Sequence, residues 1–208
     1  MKIITNTAIS LDGRINTTQR ERVRLGSADD LKLMSVLRNQ VDAILVGGNT
    51  FRDWLIPLLP QPEHLTEPLR TQALWNIILS RTMDFELSER FLDEQKIRPL
   101  FLTNKKIENF AAPIVVHPEI TPEWIVNHLS TLGIQTLLIE GGGDLIFQFV
   151  KANLVNEMYI TLCPKLIGGK GAPSLLDGEG FLKDQIRNLR LLESRVVGDE
   201  IFLHYKMK

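Results

Sequence analysis

The chain has 208 residues, 44% hydrophobic and 24% charged, a size that buries roughly 70% of the unfolded surface in one domain. Lysine and arginine total 24 against 25 acidic residues, so no basic excess points to a nucleic-acid partner. A single cysteine, Cys163, excludes an internal disulfide framework and any zinc site built from several thiolates.

The amino terminus turns polar after Ile4, without the apolar core of a signal peptide, and no apolar run approaches the ~20 residues that span a bilayer. A cytoplasmic protein without membrane contact is expected. Lys2–Ile9 reads as a first strand that closes on Ser10-Leu11-Asp12-Gly13, a turn signal in which Asp12 is structural or catalytic. Ser27 with Asp30 predicts a capping box, followed by a buried helical stripe at Leu31, Met34 and Leu37. Asp42–Val46 is a strand that runs into Gly47-Gly48-Asn49-Thr50 beside a helix start. Residues 54–70, rich in proline and polar side chains, read as a long surface loop, and 168–182 as a second.

Trp75–Leu79 is a buried strand ending in Ser80-Arg81, and Pro99–Leu102 and Pro113–Val116 continue the pattern. Thr121 caps a helix with Pro122 at its first position and Gly133 beyond its end. Gln135–Ile139 leads through Glu140 and three glycines into a helix carrying Leu145, Ile146, Phe149 and Val150. Glu157–Cys163 and Glu200–Lys206 alternate apolar and polar residues, with a tight turn at Val197–Glu200, and are expected to be antiparallel additions. Apolar strands alternating with helices predict one α/β domain over residues 1–208, with a mixed, mostly parallel sheet flanked by helices.

The glycine run is the strongest chemical signal. Successive glycines at a helix start allow close approach and bare N–H groups, which suits a pyrophosphate; a tight turn without ligand is the alternative. It is not a dinucleotide fingerprint, because the third glycine of G-x-G-x-x-G is missing. Glu140, at a strand's carboxyl end, suits the N–H groups of a heterocycle or a helix N-terminus. Arg81 with Ser80 suits a ribose 2′-phosphate or a solvated turn. The four histidines show no metal spacing and no Gly-x-Ser-x-Gly elbow occurs, so no metal is expected.

Ala8-Ile-Ser-Leu-Asp-Gly-Arg14, Asp42-Ala-Ile-Leu-Val-Gly-Gly-Asn-Thr50, Ile78-Leu-Ser-Arg81, Leu138-Ile-Glu-Gly-Gly-Gly143 and Cys163-Pro-Lys-Leu-Ile-Gly-Gly169 occur in that order. Together they resemble the reductase domain of riboflavin biosynthesis, within the wider group that has the dihydrofolate reductase fold. The resemblance implies NADPH-dependent reduction of the ribose of 5-amino-6-(5-phosphoribosylamino)uracil to a ribityl chain. It places Ala8 near the nicotinamide, Gly141, Gly142, Gly143, Asp144, Leu145 and Ile146 around the pyrophosphate, and Thr50 with Asp53 beside the cofactor. Ser80 and Arg81 would meet the 2′-phosphate, Glu140 the pyrimidine, and Arg38 with Leu59 the rest of the substrate, Arg38 taking its phosphate. No residue is assigned as general acid.

A homodimer is implied, and a separate deaminase, since no Pro-Cys-x-x-Cys occurs here. Two features depart from the family pattern. Arg22-Val23-Arg24-Leu25 stands where a Ser-x-Trp-Ile segment is usual, and no arginine lies between Asp53 and Arg70. Cations for the substrate phosphate are thus relocated, to Arg22 or Arg24, or lost. The same fold acting on another imine or carbonyl, or a non-catalytic NADPH-binding protein, are the alternative readings.

Overall fold

The computed structural model describes residues 1–208. Nine strands form one sheet: β1 (Lys2–Ser10), β2 (Ala43–Gly47), β3 (Leu74–Leu79), β4 (Ile97–Thr103), β5 (Ile114–Val116), β6 (Thr136–Ile139), β7 (Glu157–Cys163), β8 (Leu189–Val197) and β9 (Glu200–Met207). Five helices accompany them: α1 (Ala28–Gln40), α2 (Gly48–Trp54), α3 (Glu89–Leu92), α4 (Pro122–Thr131) and α5 (Gly143–Lys151). The strand order is β5-β4-β3-β2-β6-β1-β7-β9-β8.

Pairing is parallel from β5 through to β7, and the β7–β9 and β9–β8 pairs are antiparallel, so that β9 alone is reversed. This corrects one expectation: β7 alternates like a hairpin strand yet lies parallel to β1, in register Ala8 to Thr161. Pro99 is tolerated inside β4 because β5 pairs only from Phe101 onward, leaving no ladder partner on that side for an N–H that proline lacks. No helix is long and apolar enough to cross a membrane.

Two cores sandwich the sheet. On one face Leu137, Ile139, Leu45 and Ile77 meet Ile125 and Leu129 of α4 and Ile146, Phe149 and Val150 of α5. On the other, Ile44, Val46, Ile78 and Leu138 meet Leu37 of α1 and Phe51 of α2. There Phe51, Phe85, Phe91 and Phe101 contact one another, mostly edge to face, the geometry their ring quadrupoles favour.

Four local expectations change. Ser27 caps α1 by accepting from the Asp29 N–H, but Asp30 does not complete a capping box. The carboxylate that receives the Ser27 N–H (2.8 Å) and hydroxyl (2.6 Å) is Glu200, from β9, because an aspartate at the third helical position is too short to reach back. Of the expected stripe only Leu37 is buried, and Leu31 and Met34 face a cleft. Residues 54–70 are not simply a surface loop, since buried Asn76 accepts from the Leu58 N–H at 2.6 Å and donates to its carbonyl. Residues 168–182 are likewise tied down: Ile15 N–H donates to Pro173 O and Leu175 N–H to Gly13 O.

Asp12 does structural work. It accepts from the Ser10 hydroxyl and from the N–H groups of Ile167 and Gly168, joining the end of β1 to the chain after β7. Those hydrogen bonds, Ser10 first, hold its pKa down at about 2, against 3.8 for a free aspartate. A carboxyl depressed on folding stabilises above its unfolded pKa and stops doing so as pH falls through the folded value. Asp12→Ala is therefore expected to melt below wild type at pH 7, with the gap closing between about pH 4 and pH 2. A gap that stays constant over that range in a pH series of thermal melts contradicts the assignment.

Candidate functional site

Because β6 is inserted between β2 and β1, the carboxyl ends of these three strands lie side by side, and helices start directly after β2 and β6. Open α/β sheets hold ligands at such a place. A cleft of about 760 Å³ opens there, walled by α1, α2, the segment from Arg14 to Gly26 and the segment from Lys170 to Asp177.

The glycines shape its floor. Gly141 (φ 147°) and Gly142 (φ 89°) occupy conformations that a side chain would strain, and a Cβ at 141 would sit 3.4 Å from the Thr50 side chain. The Gly47 N–H donates to Gly141 O at 3.3 Å, fastening the two strand-to-helix turns together. The first amides of a helix have no partner inside it. In α5 the Ile146 N–H bonds inward to Gly142 O, which leaves the preceding amides and the positive end of the helix dipole at the floor. A diphosphate fits this cradle: a Cβ at 141 would narrow it, and the Thr50 hydroxyl stands at its rim.

Glu140 and Arg38 form a buried pair. Arg38 Nε donates to Glu140 Oε1 at 2.7 Å and Nη2 to Oε2 at 2.6 Å, while Nη1 donates to Leu59 O at 2.9 Å. Such a two-pronged contact fixes both side chains. Other cations line the cleft: Arg14, Arg20, Arg24 and Lys170. Arg22 lies 3.9 Å over the Trp54 ring, with Arg24 at 5.9 Å. Burial pushes the Asp53 carboxyl up, against the pull of Arg52, Arg20 and Arg22.

One polar corner has no internal partner. Asn6 Oδ1 on β1, Thr161 Oγ1 on β7 and Asp30 Oδ1 on α1 are all buried without a hydrogen bond. Burial pushes the Asp30 carboxyl up, and the charges of Glu200 and Glu140 act in the same direction; the Thr161 hydroxyl and Arg24 oppose them.

Of the residues singled out from sequence, Ala8, Arg38, Thr50, Asp53, Glu140, Gly141, Gly142, Gly143 and Asp144 meet in the cleft. Leu145 and Ile146 turn their side chains into the core, and the Ile146 amide is already bonded. Leu59 presents its carbonyl to Arg38. Ser80 is buried behind Gly48, accepting from the Met83 N–H, and Arg81 is exposed; neither lines the cleft. Arg38 lines it, with three of its five guanidinium N–H groups given to Glu140 and to Leu59 O. Sequence reasoning missed Asn6, Asp30 and Thr161. Asp30 had a signal, an acidic residue in a first helical turn, which the capping reading absorbed.

Residues 1–203 match the family described as RibD C-terminal domain. The chain is 29% identical over 199 residues to the 2,5-diamino-6-ribosylamino-4(3H)-pyrimidinone 5′-phosphate reductase of Archaeoglobus fulgidus, covering 87% of this chain and 88% of that one. Among solved structures it is similar to a diaminohydroxyphosphoribosylaminopyrimidine deaminase/5-amino-6-(5-phosphoribosylamino)uracil reductase from Thermotoga maritima, with a TM-score of 0.82 at 17% identity. All of this chain is covered there, but it spans only 56% of that protein. A dihydrofolate reductase from Enterococcus faecalis, complexed with NADP(H), aligns with a TM-score of 0.56 at 13% identity, covering 100% of this chain and 96% of that one. The fold is thus of the dihydrofolate reductase type.

Proposed function

The chain belongs to the RibD C-terminal domain family, and from that premise we propose that it reduces the ribose of a phosphorylated ribosylaminopyrimidine to a ribityl chain with NADPH, as a cytoplasmic homodimer working beside a separate deaminase. The observation that carries this reading is the pair of glycine turns, fastened by the Gly47–Gly141 hydrogen bond, that sets the start of α5 at the cleft floor.

Gly141, Gly142, Gly143 and Asp144 would hold the coenzyme's diphosphate, with Thr50 and Asp53 beside it and Ala8 near the ring. When bound, the reduced nicotinamide supplies the hydride. The chain's own part is to orient two ligands against each other and exclude water between them. Arg20, Arg24 and Lys170, which line the cleft, supply positive charge for the substrate phosphate in place of Arg38. Ser80 and Arg81 stand at the end of β3 for the 2′-phosphate of the coenzyme. The homodimer has a surface to use at the outer sheet edge, where Leu191, Leu192 and Val196 are exposed.

Loss of NADPH absorbance on adding the phosphoribosylaminopyrimidine, with the ribityl phosphate as product, is the expected result. Coenzyme binding without turnover on that compound supports instead a different substrate or a non-catalytic protein.

A further inference from the structure

The cleft wall formed by residues 170–177 ends against the first turn of α5. Its middle is tied to the chain after β1: Arg14 Nη1 donates to Ala172 O, the Ile15 N–H to Pro173 O, and Arg14 bridges Ser174. The wall then turns on itself, with the Ser174 N–H (3.0 Å) and hydroxyl (2.8 Å) both donating to Asp177 Oδ1. That turn lies on Gly143. Ser174 O and Asp177 Oδ2 take the space of a side chain there, and Oδ2 is 2.9 Å from a Cβ built on the glycine. One carboxylate oxygen thus closes the turn, and the other stands against the opening of α5. The N–H groups of Gly143, Asp144 and Leu145 have no acceptor within the chain, so Oδ2 approaches these amides without engaging one.

Asp177 is in no ion pair, although Arg14 and Lys170 line the same cleft. The other carboxylates there are placed differently. Arg38 holds Glu140, and Asp53 feels the charges of Arg52, Arg20 and Arg22. Asp144 accepts from Gln148 Nε2 one turn along α5, and Asp30 belongs to α1. A carboxylate beside a helix N-terminus is stabilised by the dipole, and it repels a second anion brought to the same amides. We propose that Asp177 is a counter-charge built beside the diphosphate cradle: it steadies the start of α5 without coenzyme and holds coenzyme affinity down. Reduced and oxidised coenzyme share the diphosphate, so both leave faster for it, and release of spent ligand limits turnover in many enzymes. The proposal rests on the function proposed above and concerns how tightly that site holds its coenzyme.

Asp177→Asn keeps an oxygen for both Ser174 bonds and removes only the charge. In calorimetric titration at low ionic strength it is expected to bind NADPH and its oxidised form roughly three- to tenfold more tightly than wild type, by the same factor for each. Repeating the titration in ~0.5 M salt is expected to remove most of that gain by screening. The melting temperature without coenzyme is expected to stay level or fall slightly, because the helix start loses its anion. Tighter binding without added stability is the signature, since an aspartate that only builds the turn would lower both together. Unchanged or weaker binding of the two coenzymes by a folded variant overturns the proposal, and so does a gain that salt leaves intact. Asp177→Ser, whose hydroxyl accepts from the Ser174 N–H, gives the same reading if the carboxamide variant does not fold. If wild type binds neither coenzyme, the functional reading fails first and this proposal with it.

Discussion

Arg38→Ala is expected to lose about 3–5 kcal/mol of stability, the usual cost of leaving one half of a buried ion pair behind. In a chain of this length that lowers Tm by on the order of 10 °C. The side chains of Arg38 and Glu140 are 9% and 7% exposed, so water cannot take over the hydrogen bonds that Glu140 loses. The same guanidinium holds Leu59 O, next to Leu58, which Asn76 of β3 holds through both its N–H and its carbonyl. A second variant separates charge from packing. Arg38→Met with Glu140→Gln removes both charges and should recover a large part of the loss, since desolvating a pair cancels much of its attraction. Urea unfolding of the single and double variants measures the coupling. If Arg38 instead served the substrate phosphate, Arg38→Ala would raise KM and leave unfolding unchanged.

Gly142→Ala is expected to weaken NADPH binding at least about tenfold while the protein remains folded. Residue 142 is the N-cap of α5 at φ 89°, ψ 104°, a region that a Cβ disfavours by roughly 1–3 kcal/mol. Space is not the obstacle, because the nearest atom to an added Cβ is 3.6 Å away. The strain is relieved by rotating the peptide planes at the helix start, and those planes carry the amides assigned to the diphosphate. Gly143 differs: a Cβ there would lie 2.2 Å from Ser174 O, so Gly143→Ala displaces the 170–177 segment and confounds binding with folding. Thermal melting accompanies each titration of Gly142→Ala, and a variant that melts within a few degrees of wild type yet binds NADPH equally well removes the amides from the account.

What was legible in the sequence is what local patterns encode. The apolar runs at residues 43–46, 77–79 and 137–139 gave the middle of the sheet, and Thr121-Pro122 gave the start of α4 down to the Trp124 N–H that Thr121 accepts. The glycine turns were visible because two strands end in glycines before a helix start. β8 was not delineated: Leu191-Leu192 breaks its alternation, and the register shifts between Leu191 and Glu193 at that point. Contacts between distant segments left no local trace. Ser27 meets Glu200 across 173 positions and Arg38 meets Glu140 across 102, so a capping box was the natural local reading of Ser27, and the phosphate role of Arg38 came only from the family resemblance. Asn6, Asp30 and Thr161 come from three elements whose adjacency follows only once β7 is known to be parallel to β1.

The central claim is that the amides opening α5 grip the diphosphate of a reduced nicotinamide coenzyme, and calorimetric titration of the wild-type protein with NADPH tests it most directly. The account predicts saturable one-site binding per chain that inorganic pyrophosphate competes away and that Gly142→Ala weakens. No heat of binding, or binding that ignores both pyrophosphate and the substitution, contradicts it.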